Sequence, residues 1–295
     1  MHAELTMELL RSRAQLEAAR SQGTDRIAYE ELLQTGYASV EQWQLPAFCQ
    51  ACGTAQALLA DRHHAYEGRV NFRERLECPG CRLNTRQRFM AHLVQTALAE
   101  GGSAAPQIYL HEQVTPFFAW AQTALPGEVL GSEYLGHDVP GGTAVDGVRH
   151  EDALALSFAD ASVDVIVSQD VLEHVPDIDL AVAEAARVLR PGGRLFLSVP
   201  FHAHADATVQ RATLSDGEVV HLLEPQFHGN PVSAEGSLVF YDHGWDLLDR
   251  LRDHGFADAY VLGYWSALYG YLGENGLLTM ISAVRGQPGA GAGRG

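Results

Sequence analysis

The chain has 295 residues, of which 46% are hydrophobic and 19% are charged, and its formal net charge is -17. This composition is typical of a soluble globular protein with one large domain, or one domain and a smaller module. The negative charge disfavours binding to nucleic acids and to anionic membranes. All 20 basic residues are arginine, so chemistry that requires a lysine Schiff base is excluded.

The sequence predicts neither a targeting segment nor a membrane segment. It contains no apolar run of about 18 residues, which a membrane-spanning helix would need. The first 20 residues are amphipathic and carry glutamates beside their arginines, unlike a secretory signal or a transit peptide. We therefore expect a cytoplasmic protein.

Three regions are predicted along the chain. Residues 1–104 hold helices and a cysteine-containing module, residues 105–285 hold an α/β domain, and the glycine-rich residues 286–295 form a disordered tail. Within the first region, apolar residues at helical spacing predict helices over residues 4–35 and 85–100.

The four cysteines form two CxxC pairs, Cys49 with Cys52 and Cys78 with Cys81, separated by 25 residues. Two such turns can direct four thiolates at one ion, which predicts a structural Zn²⁺ site. A reducing cytoplasm disfavours disulfides, and a redox motif would be a single CxxC. Four thiolates leave no open position for a substrate. The arginines of residues 69–88 are expected to form a solvated face, with contact to an acidic partner as the alternative.

From residue 107 onward, strand-like runs alternate with helical runs. This alternation predicts a mostly parallel sheet with helices on both faces. The strand-like runs are residues 108–110, 128–134, 163–169, 193–200 and 259–264. The helical runs are PFFAWAQTAL (116–125), DIDLAVAEAARVL (177–189) and GWDLLDRLRDHG (244–255).

Acidic residues recur after the predicted strands at regular intervals. Glu112, Glu133, Asp152 and Asp170 are separated by 21, 19 and 18 residues, about one strand–helix unit per step. In a doubly wound sheet, the carboxyl ends of neighbouring strands border one ligand crevice. We therefore expect these four carboxylates to converge on one site.

The stretch from residue 150 to residue 201 carries three motifs in a characteristic order: DALALSFADASVDVIVS, DVLEHVPD and RVLRPGGRLFLSVPF. In these motifs the chain resembles the class I S-adenosylmethionine-dependent methyltransferases, in particular their small-molecule, type 11-like branch. The resemblance extends over about residues 105–285. It implies a Rossmann-like seven-stranded, mostly parallel sheet that binds S-adenosyl-L-methionine. Here a small helical and zinc-binding N-terminal lobe would precede this domain.

The resemblance also implies contacts with each part of the cofactor. Glu133 and Tyr134 would hold the ribose hydroxyls. Asp152 and Ala153 would hold the adenine ring, and Gln169 and Asp170 would hold the methionine part.

The first loop departs from the family pattern, which places glycines at alternating positions after its acid. Counting from Glu112, those positions hold Val114 and Pro116. Glycines are most needed where a backbone wraps a pyrophosphate, and S-adenosylmethionine carries no phosphate. Thr115 is predicted to cap a helix that begins at Pro116, and its N-terminus would meet the cofactor carboxylate. Glu112 would balance the cofactor's positive charge.

A long insertion, residues 202–240, is predicted as a functional loop over the substrate. Histidine is the usual general base for a hydroxyl or amine acceptor, and we assign that role to His202 or His228. His174 is predicted to cap and pack.

These observations predict an S-adenosylmethionine-dependent methyltransferase. Its acceptor would be a small molecule or a glycan-type compound, methylated at oxygen with a histidine as the base. The alternatives are a zinc-module methyltransferase that modifies RNA, and a non-catalytic scaffold with a methyltransferase fold.

Overall fold

The computed structural model describes residues 5–273 and 275–287. The predicted tail, residues 286–295, lies outside the described residues from position 288 onward. No helix in these described ranges combines the length and the apolar character needed to cross a membrane.

The described chain divides into two compact units. The first comprises the residues up to Gly101 together with Val261–Met280, and the second comprises Gly102–Tyr260 and the residues from Ile281 onward. The domain boundary at residues 104 and 105 stays a prediction.

The N-terminal region begins with a strand, where the sequence predicts a helix. Its elements are β1 (Thr6–Leu10), α1 (Arg13–Ser21) and α2 (Thr24–Gly36). Ser12 separates the strand from α1, because its hydroxyl accepts a hydrogen bond from the Gln15 backbone N–H and caps the helix. The prediction of helix over residues 4–35 is therefore correct for α1 and α2 and wrong for β1.

The cysteine-containing region is built on a β-hairpin. Its elements are β2 (Gln42–Cys49), β3 (Thr54–Asp61) and the following helix α3 (Thr85–Gly101). The two strands pair in register from Gln42 with Asp61 to Cys49 with Thr54, so the first CxxC turn lies at the tip of the hairpin. The predicted helix over residues 85–100 is confirmed as α3.

In the described residues from 102 to 287, three α-helices alternate with strands. The helices are α4 (Pro116–Ala124), α5 (Ile178–Val188) and α6 (Leu247–Asp253). The strands are β4 (Gln107–Leu110), β5 (Glu128–Gly131), β6 (Ala144–Val145), β7 (Val148–Arg149), β8 (Val163–Gln169), β9 (Leu189–Ser198), β10 (Val209–Gln210), β11 (Ala212–Ser215), β12 (Glu218–His221), β13 (Phe227–Asn230), β14 (Ser233–Leu238), β15 (Tyr241–Asp242), β16 (Phe256–Trp265) and β17 (Leu278–Arg285).

Seven strands form one sheet in the order β1-β16-β17-β9-β8-β4-β5. Strands β5, β4, β8 and β9 are parallel neighbours, whereas β17 runs antiparallel to β9 and β1 runs antiparallel to β16. The predicted fold class, an α/β protein with a Rossmann-like, seven-stranded and mostly parallel sheet, is confirmed. β1 forms because Leu10 pairs with Val261, a long-range contact that overrides the local helical spacing.

The strand order reverses at β4 and β8, because β5 follows β4 on one side and β8 lies on the other. Ligands of such sheets bind outside the carboxyl ends of the strands at this point. These ends are at Leu110 of β4, Gly131 of β5 and Gln169 of β8. We call them together the cofactor edge.

The insertion of residues 202–240 was predicted as a long loop, but the structure shows strands in it. Strands β11 and β12 form one hairpin and β13 and β14 form a second, while β10 pairs with β15. The second hairpin is held close to the sheet, since the Phe240 backbone N–H donates to the Glu173 carbonyl oxygen over 2.7 Å.

Candidate active site

Glu112 is the first acid of the cofactor edge and lies two residues after β4. Its side chain is buried, with 7% of the residue exposed. The amide of Gln169 donates to Glu112 Oε1 over 2.6 Å, and the hydroxyl of Thr115 donates to Oε2. Gln169 is the last residue of β8, so this bond joins the ends of two neighbouring strands.

The loop after β4 enters α4 as the sequence predicts. The Thr115 hydroxyl accepts from the Phe118 backbone N–H over 3.2 Å, and Pro116 occupies the first helical turn. The loop needs no glycine of its own. The close approach is made instead by Gly131 of β5, where an added Cβ would lie 2.4 Å from the Glu112 carbonyl oxygen.

Glu133 holds the loop from the end of β5. Its Oε1 accepts from the backbone N–H of Gln113 over 2.7 Å and of Val114 over 3.1 Å. The first loop and the second strand are thus joined through one carboxylate oxygen.

Tyr134 and Asp152 lie beside Glu133. Glu133 forms a parallel bridge with His150, which brings the segment after β7 to the end of β5. Burial, together with the nearby carboxylate of Asp152, raises the pKa of Tyr134. Asp152 Oδ1 accepts from the Leu154 backbone N–H over 2.9 Å, and Ala153 within this turn is half-buried. The segment that carries Asp152 therefore follows a residue paired with the end of β5, and its assignment to the adenine stays a prediction.

Asp170 follows β8 directly and adopts a left-handed backbone with φ 53°. Its backbone N–H donates to the Ser198 carbonyl oxygen over 2.8 Å, and its Oδ1 accepts from the Ser198 hydroxyl over 3.2 Å. Ser198 ends β9 and was not among the predicted site residues. No sequence signal distinguishes it, because its position depends on the pairing of β8 with β9.

Contacts thus link three of the four predicted carboxylates along one edge of the sheet. The links run from Glu133 through the first loop to Glu112, and then through Gln169 to Asp170. Strands β5, β4 and β8 place these three side by side, whereas Asp152 follows β7, which is outside this sheet and reaches the end of β5 through the bridge of His150 to Glu133.

Residues 118–197 of the chain match the family model described as a methyltransferase domain. A curated relative from Mycolicibacterium smegmatis, named "Probable S-adenosylmethionine-dependent methyltransferase", is 47% identical over 105 residues, 35% of this chain and 37% of that protein. The 27-O-demethylrifamycin SV methyltransferase of Amycolatopsis mediterranei is 46% identical over 67 residues, 21% of this chain and 25% of that protein.

The chain carries a methyltransferase domain, matched over residues 118–197.

The chain also has a weak likeness to solved structures. An S-adenosylmethionine-dependent methyltransferase from Mesorhizobium loti has 17% sequence identity and a TM-score of 0.40, over 65% of this chain and 96% of that one. The matched stretches span 25% and 37% of the two curated relatives, so they bear on this domain and not on the acceptors of those proteins.

The two predicted base histidines of the methyltransferase domain have different surroundings. His202 Nε2 lies 3.7 Å from Asp242 Oδ1, and its side chain is 38% exposed. Asp242 Oδ2 accepts from Arg211 over 2.7 Å, so this carboxylate lies between a histidine and an arginine. His228 Nδ1 instead lies 3.6 Å from Oε1 of the fully buried Glu173.

Glu173 and His174 form a cluster with His228 that the sequence did not predict. One ligand atom from each of the three residues lies within 4.8 Å of the other two. Glu173 and His174 are adjacent in a 3₁₀ turn after β8, whereas His228 lies on β13. The predicted capping and packing role of His174 is incomplete, since its Nε2 lies 3.6 Å from Glu173 Oε1.

The four cysteines of the first unit converge on one point. The Sγ atoms of Cys49 and Cys81 are 3.8 Å apart and those of Cys52 and Cys78 are 3.6 Å apart, so all four are free thiols. Sulfur atoms bound to one tetrahedral Zn²⁺ at about 2.3 Å lie about 3.8 Å from each other. Burial, with the neighbouring Cys49, raises the pKa of the Cys52 thiol to about 12.

The backbone of both cysteine turns suits this arrangement. The N–H of Gly53 donates to the Cys49 carbonyl oxygen over 2.9 Å, and the N–H of Arg82 donates to the Cys78 carbonyl oxygen over 2.8 Å. Gly53 and Arg82 both have a left-handed backbone, with φ 68° and 64°. The donor atoms and their spacing fit a zinc ion.

The arginines near the cysteines are engaged within the first unit and do not form a free basic face. Arg69 pairs with Glu31, Arg75 with Asp61 and Arg82 with Glu77. Arg73 and Arg86 share Glu74, and the fully buried Arg88 donates to the carbonyl oxygens of Tyr269 and Gly270. The predicted solvated face is therefore wrong for most of them.

We expect acid to destabilise the protein through His243, which is fully buried. Burial lowers its pKa to about 4, from about 6.5 in an unfolded chain. A histidine with a depressed folded pKa contributes stability above pH 6.5 that is lost as the pH falls towards 4. The loss should reach about 2 kcal/mol by about pH 5. Urea unfolding at about pH 7.5 and pH 5 should show a smaller difference for His243→Gln than for the unchanged chain, and equal differences would contradict the prediction.

Proposed function

We propose that the chain transfers a methyl group from S-adenosyl-L-methionine to an oxygen atom of a small-molecule acceptor. The observation that carries this proposal is the linked row of carboxylates on the cofactor edge, at the reversal of strand order. The family match supports methyl transfer, and the name of the Amycolatopsis relative supports a small-molecule acceptor methylated at oxygen.

The carboxylates of the cofactor edge would divide the recognition of the cofactor. Glu133 and Tyr134 would bind the ribose, and Asp152 and Ala153 the adenine. Glu112, which receives hydrogen bonds from two neutral side chains, would supply negative charge near the ammonium and sulfonium groups. Gln169 and Asp170 would border the methionine part. Thr115, which caps α4, would hold the start of this helix near the carboxylate of the cofactor.

When bound, the cofactor supplies a methyl group already activated by its sulfonium. The protein then has to align the acceptor and accept one proton from its hydroxyl, while the new C–O bond would form as the methyl–sulfur bond breaks and leaves its electron pair on the neutral thioether. We assign the base to His202, with His228 as the alternative. Asp242 supports His202, since its carboxylate at 3.7 Å would stabilise the imidazolium that results.

The four cysteines would hold a structural zinc ion in the first unit. Cys49, Cys52, Cys78 and Cys81 would fill its tetrahedral shell, which leaves no position for an acceptor. The ion would stabilise the β2–β3 hairpin and the turn at Cys78 without a part in methyl transfer.

Calorimetric titration with S-adenosylhomocysteine tests the proposed function. We expect one molecule to bind per chain. No binding by the folded full-length chain would favour the non-catalytic scaffold. Tight RNA retention in a filter assay at physiological salt would favour the RNA-modifying alternative, which the net charge of -17 opposes.

A further inference from the structure

Glu173 is a carboxylate buried without the hydrogen bonds that such a group normally has. The residue is 0% exposed, and neither carboxylate oxygen accepts a hydrogen bond from the described part of the chain. His174 Nε2 and His228 Nδ1 each lie 3.6 Å from Oε1, within ion-pair distance but too far for a hydrogen bond. A buried carboxylate in this state is costly unless a cation accompanies it.

The hydrogen bond made by His174 leaves its other ring nitrogen, Nε2, unprotonated next to this carboxylate when the ring is neutral. His174 Nδ1 lies 2.8 Å from the carbonyl oxygen of Leu238, which can only accept, so Nδ1 carries the proton. In a neutral ring, Nε2 is then an acceptor that points to another acceptor, Glu173 Oε1. A cation between the two atoms removes this repulsion. Metal-bound histidines characteristically donate their other N–H to a carbonyl or carboxylate in this way.

We propose that Glu173, His174 and His228 bind a divalent transition-metal ion. The three ligand atoms lie within 4.8 Å of one another. Two atoms held at about 2.1 Å from one ion in tetrahedral geometry are about 3.4 Å apart, close to the two observed separations of 3.6 Å. Two imidazoles and one carboxylate suit Zn²⁺, Mn²⁺ or Fe²⁺ rather than Mg²⁺ or Ca²⁺.

Neighbouring elements hold the three ligands in place. The β13–β14 hairpin carries both His228 and the Leu238 carbonyl that fixes His174. An added Cβ at Gly236 would lie 2.5 Å from the His228 carbonyl oxygen, so a glycine permits the close pairing of this hairpin. The side-chain amide of Gln226 lies 3.4 Å from His228 Nε2 and can orient that ring.

The position of the site suggests what the ion would do, and this step rests on the proposed function. Glu173 lies three residues after Asp170, which directly follows β8 at the cofactor edge. Three protein ligands leave at least one open position. An acceptor with a phenolic, hydroxyl or carboxylate oxygen could coordinate there, and the ion would ease loss of its proton.

Manganese and zinc titrations test the proposal. The full chain, with its four-cysteine site already filled with zinc, is titrated with Mn²⁺ by electron paramagnetic resonance and with Zn²⁺ by calorimetry. Mn²⁺ prefers nitrogen and oxygen donors over thiolates, so it reports on the Glu173 cluster. We expect one further ion per chain. Glu173→Gln and His228→Ala should each weaken binding by about 10- to 100-fold.

His221→Ala is the matched control, because His221 is an exposed histidine on the other hairpin of the same insertion and should leave ion binding unchanged. Thermal melts verify that each variant is folded, and His228→Ala, on a less buried residue, serves if Glu173→Gln does not fold. The proposal is overturned if neither ion binds at millimolar concentration, or if both variants bind as the unchanged chain does. In those cases Glu173 is neutralised by a protonated His228.

Titration of the same samples with S-adenosylhomocysteine distinguishes the two levels of inference. Binding of S-adenosylhomocysteine without a further metal ion would remove the metal site and leave the proposed function intact. Metal binding without S-adenosylhomocysteine binding would retain the ion site and count against methyl transfer.

Discussion

If the four cysteines hold the proposed zinc ion, replacing Cys78 with serine should remove it and unfold much of the region around β2 and β3. Cys78 is fully buried, and its Sγ lies 3.6 Å from that of Cys52. Loss of one thiolate leaves an incomplete shell. Because zinc binding contributes about 10 kcal/mol or more in small zinc domains, metal loss should lower stability by several kcal/mol here. Metal analysis should fall from about one zinc per chain towards zero, with a lower thermal midpoint.

His63→Ala provides the control for the cysteine substitution. His63 is exposed between the two CxxC turns and could donate a nitrogen, yet four thiolates already complete the shell. This variant should keep its zinc. A chelator applied to the unchanged chain should reproduce the destabilisation and release four reactive thiols. Full zinc retention in Cys78→Ser, or no zinc in the unchanged chain after growth with zinc, would contradict the four-cysteine site.

The features predicted correctly from the sequence depend on local pattern. β8 reads VDVIVSQ, a run rich in β-branched residues, and its apolar positions are buried as a central parallel strand requires. Thr115 and Pro116 specify the start of α4 through a cap and a fixed φ. The positions of Glu112 and Glu133 follow from the same logic, since β4, α4 and β5 form one strand–helix–strand unit with neighbouring strand ends. The regular spacing of the other two acids has a different origin, because in the described chain no helix separates Glu133 from Asp152 or Asp152 from Asp170.

The features that the sequence did not predict depend on contacts between distant residues. β1 becomes a strand because Thr6–Leu10 pairs with residues 261–265, whereas its local spacing resembles a helix. The insertion forms hairpins although it contains no long β-branched run. The Glu173 cluster assembles only when β13 brings His228 to a histidine 54 residues earlier in the chain. No local sequence motif predicts the contact between these two parts of the chain.

Replacing Glu133 with glutamine should weaken binding of S-adenosylhomocysteine by about 10- to 150-fold. The amide oxygen of glutamine can still accept from the N–H groups of Gln113 and Val114, so the first loop should keep its shape. The second oxygen is replaced by an NH₂ group, which cannot accept a hydrogen bond from a ribose hydroxyl. The negative charge of the side chain is also lost. A hydrogen bond to a charged group contributes about 1.5–3 kcal/mol, which sets the expected range. Calorimetry measures the change directly.

Glu128→Gln is the control for Glu133→Gln, because Glu128 is an exposed acid at the opposite end of the same strand. It removes the same charge from β5 but lies away from the cofactor edge, so its affinity for S-adenosylhomocysteine should equal that of the unchanged chain. Equal weakening by both variants would mean that the affinity depends on the net charge of the protein and not on a contact made by Glu133. Unchanged binding in Glu133→Gln would mean that the ribose is not bound at the end of β5. Only selective weakening by Glu133→Gln assigns the nucleoside to this edge, since the two variants differ only in which end of the strand loses its carboxylate.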